Sequence, residues 1–122
     1  MTDHARILPV ELGATFTDSE LPEATIRLQI PEDLRFLEGH FPGHPILPGA
    51  VQLQWAITYG KKLLNRSNSA VKQVEVLKFQ NIIRPGDIVV LTLTTKTSDK
   101  FIFSFESKQG KHASGRVILS DN

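Results

Sequence analysis

The 122-residue chain contains no cysteine, which excludes disulfides, thiolate nucleophiles and thiolate metal sites. It also lacks an excess of either charge: 14 Lys and Arg stand against 13 Asp and Glu. A nucleic-acid-binding domain would carry a clear basic surplus, so that class is set aside, with only a local basic patch left open. No apolar run reaches the roughly 20 residues that a membrane-spanning helix needs. Residues 1–6 have neither the basic region nor the apolar core of a signal peptide. A soluble, cytoplasmic protein is therefore expected, with no membrane or nucleic-acid partner.

What is present has the size and pattern of one domain, expected over residues 1–122. Its core is limited at this length, and a dimer burying one face would help stabilise it. Residues 24–30 (ATIRLQI) alternate with period two, the pattern of a half-buried strand. A proline-rich loop follows, carrying Pro31, Pro42, Pro45 and Pro48. The largely apolar run from about Gly49 to Leu64 predicts a helix, and Pro48 and Gly49 suit its start because the first N–H groups have no internal partner. Residues 65–69 (NRSNS) predict its end. Strands are predicted over 71–79, 88–96, 101–107 and 112–119, with turns at Pro85-Gly86-Asp87, Ser98-Asp99 and Gln109-Gly110.

Ala50, Val51, Leu53, Trp55, Ala56, Ile57, Leu63 and Leu64 spread around much of the helix circumference. A helix apolar on most sides is expected to be buried on most sides. The simplest cover is a curved antiparallel sheet wrapped around one central helix, an α+β arrangement of the hotdog type.

Chemistry concentrates in Gly39-His40-Phe41-Pro42-Gly43-His44-Pro45-Ile46-Leu47-Pro48-Gly49. Prolines fix φ and remove donors, so this loop is stiff. It places two imidazoles directly before a helix start, where free N–H groups and the helix dipole favour negative charge. Histidine exchanges protons near neutral pH. A catalytic histidine and a merely structural loop are both open on this pattern. A metal site is the weaker reading, since only Glu38 lies close by as a third ligand.

The run from His40 to Gly49 resembles the signature of the bacterial 3-hydroxyacyl-acyl-carrier-protein dehydratases of fatty-acid synthesis. The later run Lys78-Phe79-Gln80-Asn81-Ile82-Ile83-Arg84-Pro85-Gly86-Asp87 resembles that family's strand and turn after the central helix. The likeness spans roughly residues 24–119, and Ala50-Val51-Gln52-Leu53 points to the aryl-polyene-type subgroup.

The resemblance implies that His40 is the catalytic acid/base, while His44 falls at a variable position. It implies that the Gly49 N–H binds the thioester carbonyl and that the Ile46 carbonyl orients the histidine ring. Removing such an N–H donor costs about 3–4 kcal/mol in other enzymes. One position departs from the family: Gln54 stands where a glutamate or aspartate is expected, fourteen residues after the histidine. An amide cannot protonate the leaving hydroxyl, and loss of a positioned acid/base typically costs roughly 10²–10⁴-fold in rate. Three accounts stay open: Gln54 is natural and His40 handles both proton transfers, Gln54 is a substitution made to trap a ligand, or a second chain supplies the acid.

The implied substrate arm is phosphopantetheine on acyl carrier protein, with no separate cofactor. Phe36, Leu37, Phe41, Ile46 and Leu47 are candidates for the apolar lining of its tunnel, against ordinary core packing. Trp55 reads as core or interface. Lys61, Lys62, Lys78 and Arg84 are candidates for docking the acidic carrier protein, against ordinary exposed cations. The implied partners are acyl carrier protein and a second hotdog subunit, identical or different. A non-catalytic subunit that binds acyl chains or completes a partner's site is the alternative function, and a hotdog thioesterase comes third.

Overall fold

Period-two burial builds the sheet. In the computed structural model, which describes residues 8–17, 19–32 and 46–120, the strand β2 (Glu23–Gln29) turns Ala24, Ile26 and Leu28 inward. The same alternation continues in β4 (Ile88–Thr97) through Val89, Leu91 and Leu93, and in β5 (Lys100–Ser107) through Phe101, Phe103 and Phe105. β6 (Gly110–Ser120) adds Ala113, Val117 and Leu119. Register lines these residues up across the sheet: Ile26 faces Leu91, Leu91 faces Phe105, and Phe105 faces Ala113. Large meets small along the next row, where Phe103 pairs with Gly115 and a Cβ on that glycine would lie 2.7 Å from the ring. Phe103 and Phe105 meet edge to face at 6.1 Å. Each fully buried side chain of this size contributes roughly 1.5–3 kcal/mol.

Among the described residues, two further strands complete a six-stranded antiparallel sheet of order β1-β2-β4-β5-β6-β3. β1 (Val10–Thr17) has no strand signal of its own in the sequence. It lies exposed along one edge, and a bulge between Glu11 and Gly13 disturbs its alternation. β3 (Ala70–Phe79) lies at the opposite edge, paired only with β6 among the described residues. The four strands after the helix therefore run consecutively in sequence but not in space. β3 has a bulge between Glu75 and Lys78, where Val76 takes φ 53°. Bulges bend and twist strands, and five interrupt the described ladders.

The helix α1 (Gly49–Leu63) rests on the inner face of this sheet. It begins after Pro48 and ends at Asn65, whose left-handed φ of 62° is a conformation asparagine tolerates. Lys61 and Lys62 lie in its last turn, where cations suit the dipole. Val51, Gln52, Trp55, Ala56, Tyr59 and Gly60 are buried. The expectation of burial on most sides is corrected in one respect. Ala50, Gln54, Thr58 and Lys62 are exposed, and Leu53, Ile57 and Leu63 only partly covered. One sheet reaches one side of a helix, and among the described residues nothing covers Ala50, Gln54, Thr58 and Lys62 on the other. Among the described residues no helix is long and apolar enough to cross a membrane.

Candidate functional site

The start of α1 is held against the end of β3. The Leu47 N–H donates to the Ile83 carbonyl at 2.7 Å, tying the segment before the helix to the segment after the strand. The Pro48 carbonyl accepts from the N–H groups of Val51 and Gln52 at 3.1 and 3.2 Å. Gly49 and Ala50, one turn too early, have no helical carbonyl to reach, and among the described residues no side chain caps this end. A Cβ on Gly49 would lie 2.9 Å from the Phe79 ring. Glycine here lets the helix start approach that ring.

A cavity of about 290 Å³ opens at this junction. Ile46, Leu47, Gly49 and Gln52 form one wall, and Phe79, Gln80, Asn81 and Ile82 form the other. Its surface is mainly apolar, with the helix start and a few polar groups at its edge, the usual character of a small-ligand site. Gln52 is 4 % exposed and donates through Nε2 to the Leu47 carbonyl at 3.1 Å. Its Oε1 is itself buried and has no hydrogen-bond partner among the described residues.

The second wall is braced from behind by His112, which is fully buried. Its Nδ1 is 3.1 Å from the Asn81 carbonyl and its Nε2 is 2.6 Å from Ser107 Oγ. A carbonyl only accepts, so Nδ1 carries the proton and Nε2 accepts from the hydroxyl. Gln80 N–H donates to the His112 carbonyl, and Asn81 Nδ2 donates to the Lys111 carbonyl. Neither His112 nor Ser107 lines the cavity, so this serine–histidine pair holds the wall.

The structure distributes the sequence candidates unevenly. Gly49, Ile46 and Leu47 meet at the cavity. Gln54 does not: two residues from Gln52, it points about 200° away around the helix and is exposed. His40, Phe36, Leu37 and Phe41 lie outside the described residues, as does His44. Trp55 is core, at 2 % exposure. Lys78 and Arg84 flank the cavity's second wall and are exposed. Lys61 and Lys62 belong to the other end of α1, some 18 Å along its axis at about 1.5 Å per residue. Among the described residues no cluster of three or more His, Asp or Glu is arranged to hold a metal.

Gln52 and His112 escaped the sequence reading. The available signal for Gln52 was its spacing: it stands four and seven residues before Ala56 and Tyr59, on the buried stripe.

With this geometry established, comparison with known proteins supplies relatives. The ApeI-like family model, described as ApeI dehydratase, matches residues 17–116. An uncharacterized protein from Erwinia carotovora subsp. atroseptica superposes with a TM-score of 0.82 at 31 % identity, covering 93 % of this chain and 97 % of that one. The dehydratase heterocomplex ApeI:P from Xenorhabdus doucetiae gives a TM-score of 0.80 at 28 % identity, over 91 % of this chain and 96 % of that one. The 3-hydroxyacyl-[acyl-carrier-protein] dehydratase FabZ of Caulobacter vibrioides is 28 % identical over 79 residues, 58 % of this chain and 50 % of the relative. The chain spans about half the length of the curated relatives it matches.

Proposed function

Because the chain belongs to the ApeI-like dehydratase family, we propose that it dehydrates 3-hydroxyacyl thioesters on acyl carrier protein to trans-2-enoyl thioesters, in a site shared with a second hotdog subunit. The observation that carries this reading is the cavity at the bare start of α1, bordered by Gly49 and walled largely by apolar side chains. Such a place suits a thioester carbonyl at the end of an acyl chain.

In the reaction, His40 removes the proton next to the carbonyl. Negative charge grows on the carbonyl oxygen, and the Gly49 N–H stabilises it without reorganising. The β-hydroxyl then leaves as water and needs a proton. Gln54 has none to give, and its exposure on the open side of α1 favours a site completed across an interface. The edge strand β3 supports the same view, since Val76 and Phe79 are 58 % and 49 % exposed there. The neighbour from Xenorhabdus is itself a heterocomplex. A different hotdog subunit is accordingly the partner we assign, with an acid of its own. The phosphopantetheine arm needs no further cofactor. Lys78 and Arg84, beside the cavity, are better placed than Lys61 and Lys62 to receive the acidic carrier protein.

The second reading is a non-catalytic acyl-binding subunit, and Gln54 is what favours it. Turnover of a 3-hydroxyacyl carrier-protein thioester separates the two. It is measured for the chain alone, for Gln54→Asp, and for the chain mixed with a second hotdog subunit. Activity in any arm that His40→Ala abolishes supports the dehydratase; silence in all three leaves the acyl-binding reading. Docking through Lys78 and Arg84 is expected to weaken as salt rises, because exposed charges are screened.

A further inference from the structure

We infer that His112 is a positioning residue for the acyl ligand: the proton on its Nδ1 holds the Asn81 carbonyl, and with it one wall of the cavity at the start of α1. This rests on the dehydratase reading and adds a residue to it. The wall is a strap, residues 80–83, that leaves the end of β3 and runs into the turn closed by Arg84 N–H on Asp87 Oδ2. One end of the strap is fastened to β6. Gln80 N–H donates to the His112 carbonyl at 2.8 Å, and Asn81 Nδ2 donates to the Lys111 carbonyl at 2.7 Å. The His112 ring adds a third bond, to the Asn81 carbonyl at 3.1 Å. The other end is fastened beside the helix: Ile83 is fully buried, and its carbonyl accepts from the Leu47 N–H two residues before Gly49. The strap thus joins β6 to the start of α1, and Gln80, Asn81 and Ile82 along it line the cavity.

The histidine bond does what the other two do not. The Asn81 carbonyl belongs to the planar peptide unit that ends at the Cα of Ile82. Restraining its oxygen therefore restrains the direction in which Ile82 leaves the strap. Packing gives that side chain little support, since Ile82 is 44 % exposed and Phe79 beside it 49 %. The ring behind them is fully buried, so water does not compete for its Nδ1 proton. Ser107 fixes the tautomer. Its oxygen accepts from Gln109 N–H at 3.1 Å and its hydroxyl donates to Nε2 at 2.6 Å, which leaves the ring proton on Nδ1. Enclosed, with both nitrogens engaged, His112 transfers no proton to a ligand and acts only through the wall. A wall already held in place spares the ligand the cost of ordering it on binding.

The test replaces His112 by two amides that each keep one of its bonds, on the protein in the assembly it forms in solution. In His112→Asn the side-chain NH2 stands where Nδ1 stood and still donates to the Asn81 carbonyl. In His112→Gln the longer side chain reaches Ser107 and abandons the carbonyl. Each variant loses one bond and some packing, so a merely structural role would weaken both alike. The ligand is a 3-hydroxyacyl pantetheine amide, in which nitrogen replaces the thioester sulfur and makes the neighbouring proton too weakly acidic to remove. It is expected to bind His112→Gln about five- to tenfold more weakly than His112→Asn, the effect of one net hydrogen bond. Exchange of the Leu47 amide proton, at the other end of the strap, should also be faster in His112→Gln. Equal affinity of the two variants overturns the inference. Should they not fold, the unaltered protein decides: saturation with the amide should shift the His112 Nδ1 resonance, and an unmoved resonance overturns the inference. If the amide does not bind the unaltered protein, the dehydratase reading falls, and equal Leu47 exchange in the two variants would then remove the positioning role as well.

Discussion

Each end of α1 carries a glycine pressed against a phenylalanine ring, and the two contacts are built to opposite effect. At the far end a Cβ on Gly60 would overlap the ring of Phe101, which is 1 % exposed and walled in by the core. At the near end a Cβ on Gly49 would meet Phe79, which is 49 % exposed and has room to swing. The far end is also finished chemically. Asn65 turns the chain out of the helix, Leu64 N–H donates to the Gly60 carbonyl and Arg66 N–H donates to the Lys61 carbonyl. Among the described residues the near end has no side-chain cap, and the buried Oε1 of Gln52 has no partner. One end secures the helix in the fold, and the other starts uncapped at the wall of a cavity.

Substitutions can break this contrast, and the largest effect is expected at Gly60. Gly60→Ala should destabilise the protein by about 1–3 kcal/mol in denaturant unfolding, because the Phe101 ring has nowhere to go. A stable Gly60→Ala variant would show that the far end is less rigid than its packing indicates. Tyr59 gives a second test on the same side. Burial, with the Glu11 carboxylate 3.3 Å away, pushes its phenol well above the ordinary value of 10.0. The unfolded chain can release that proton above pH 10 and the folded one resists, so stability should fall as pH rises beyond that point. Tyr59→Phe should flatten this decline in a pH series of unfolding midpoints.

Smaller effects are expected where the backbone alone is concerned. Asn65→Ala should cost about 1 kcal/mol, since alanine pays more for the left-handed conformation, and Asn65→Gly should cost nothing or stabilise. The smallest change in stability is expected at the near end. Gly49→Ala should shift unfolding by no more than about 0.5 kcal/mol, as an ordinary partly exposed site does, while the displaced Phe79 ring intrudes on the cavity and weakens acyl-ligand binding. A Gly49→Ala variant as unstable as Gly60→Ala would erase the distinction between the ends.

The inner strands were legible because one face is buried and the other is not: Ile26, Leu91 and Phe103 announce their direction by alternation. Edge strands send a poorer signal. β1 is exposed along its whole length and bulged at Glu11–Gly13, so its apolar residues keep no clean period. β3 reads as a strand, but nothing in its composition says that it pairs with β6 across the sheet. The helix start was legible from Pro48 and Gly49, whose backbone restrictions act locally. Gln52 was not. A glutamine in a helix ordinarily faces water, and only the tertiary placement of the Leu47 carbonyl explains why this one is buried.

The pairing of β3 with β6 also sets an order of events during synthesis. Residues 70–79 leave the ribosome well before residues 110–120, their ladder partner. At about 5–20 residues per second the strand waits roughly 2–8 s for it. During that interval both of its edges are bare, and Val71, Val76, Leu77 and Phe79 have no sheet to join. Lys72 and Lys78, within the same strand, are the kind of charged residue that discourages such a segment from pairing with its copies. The nascent chain is therefore most vulnerable to aggregation just before its last strand arrives, and the two lysines guard the strand through that wait.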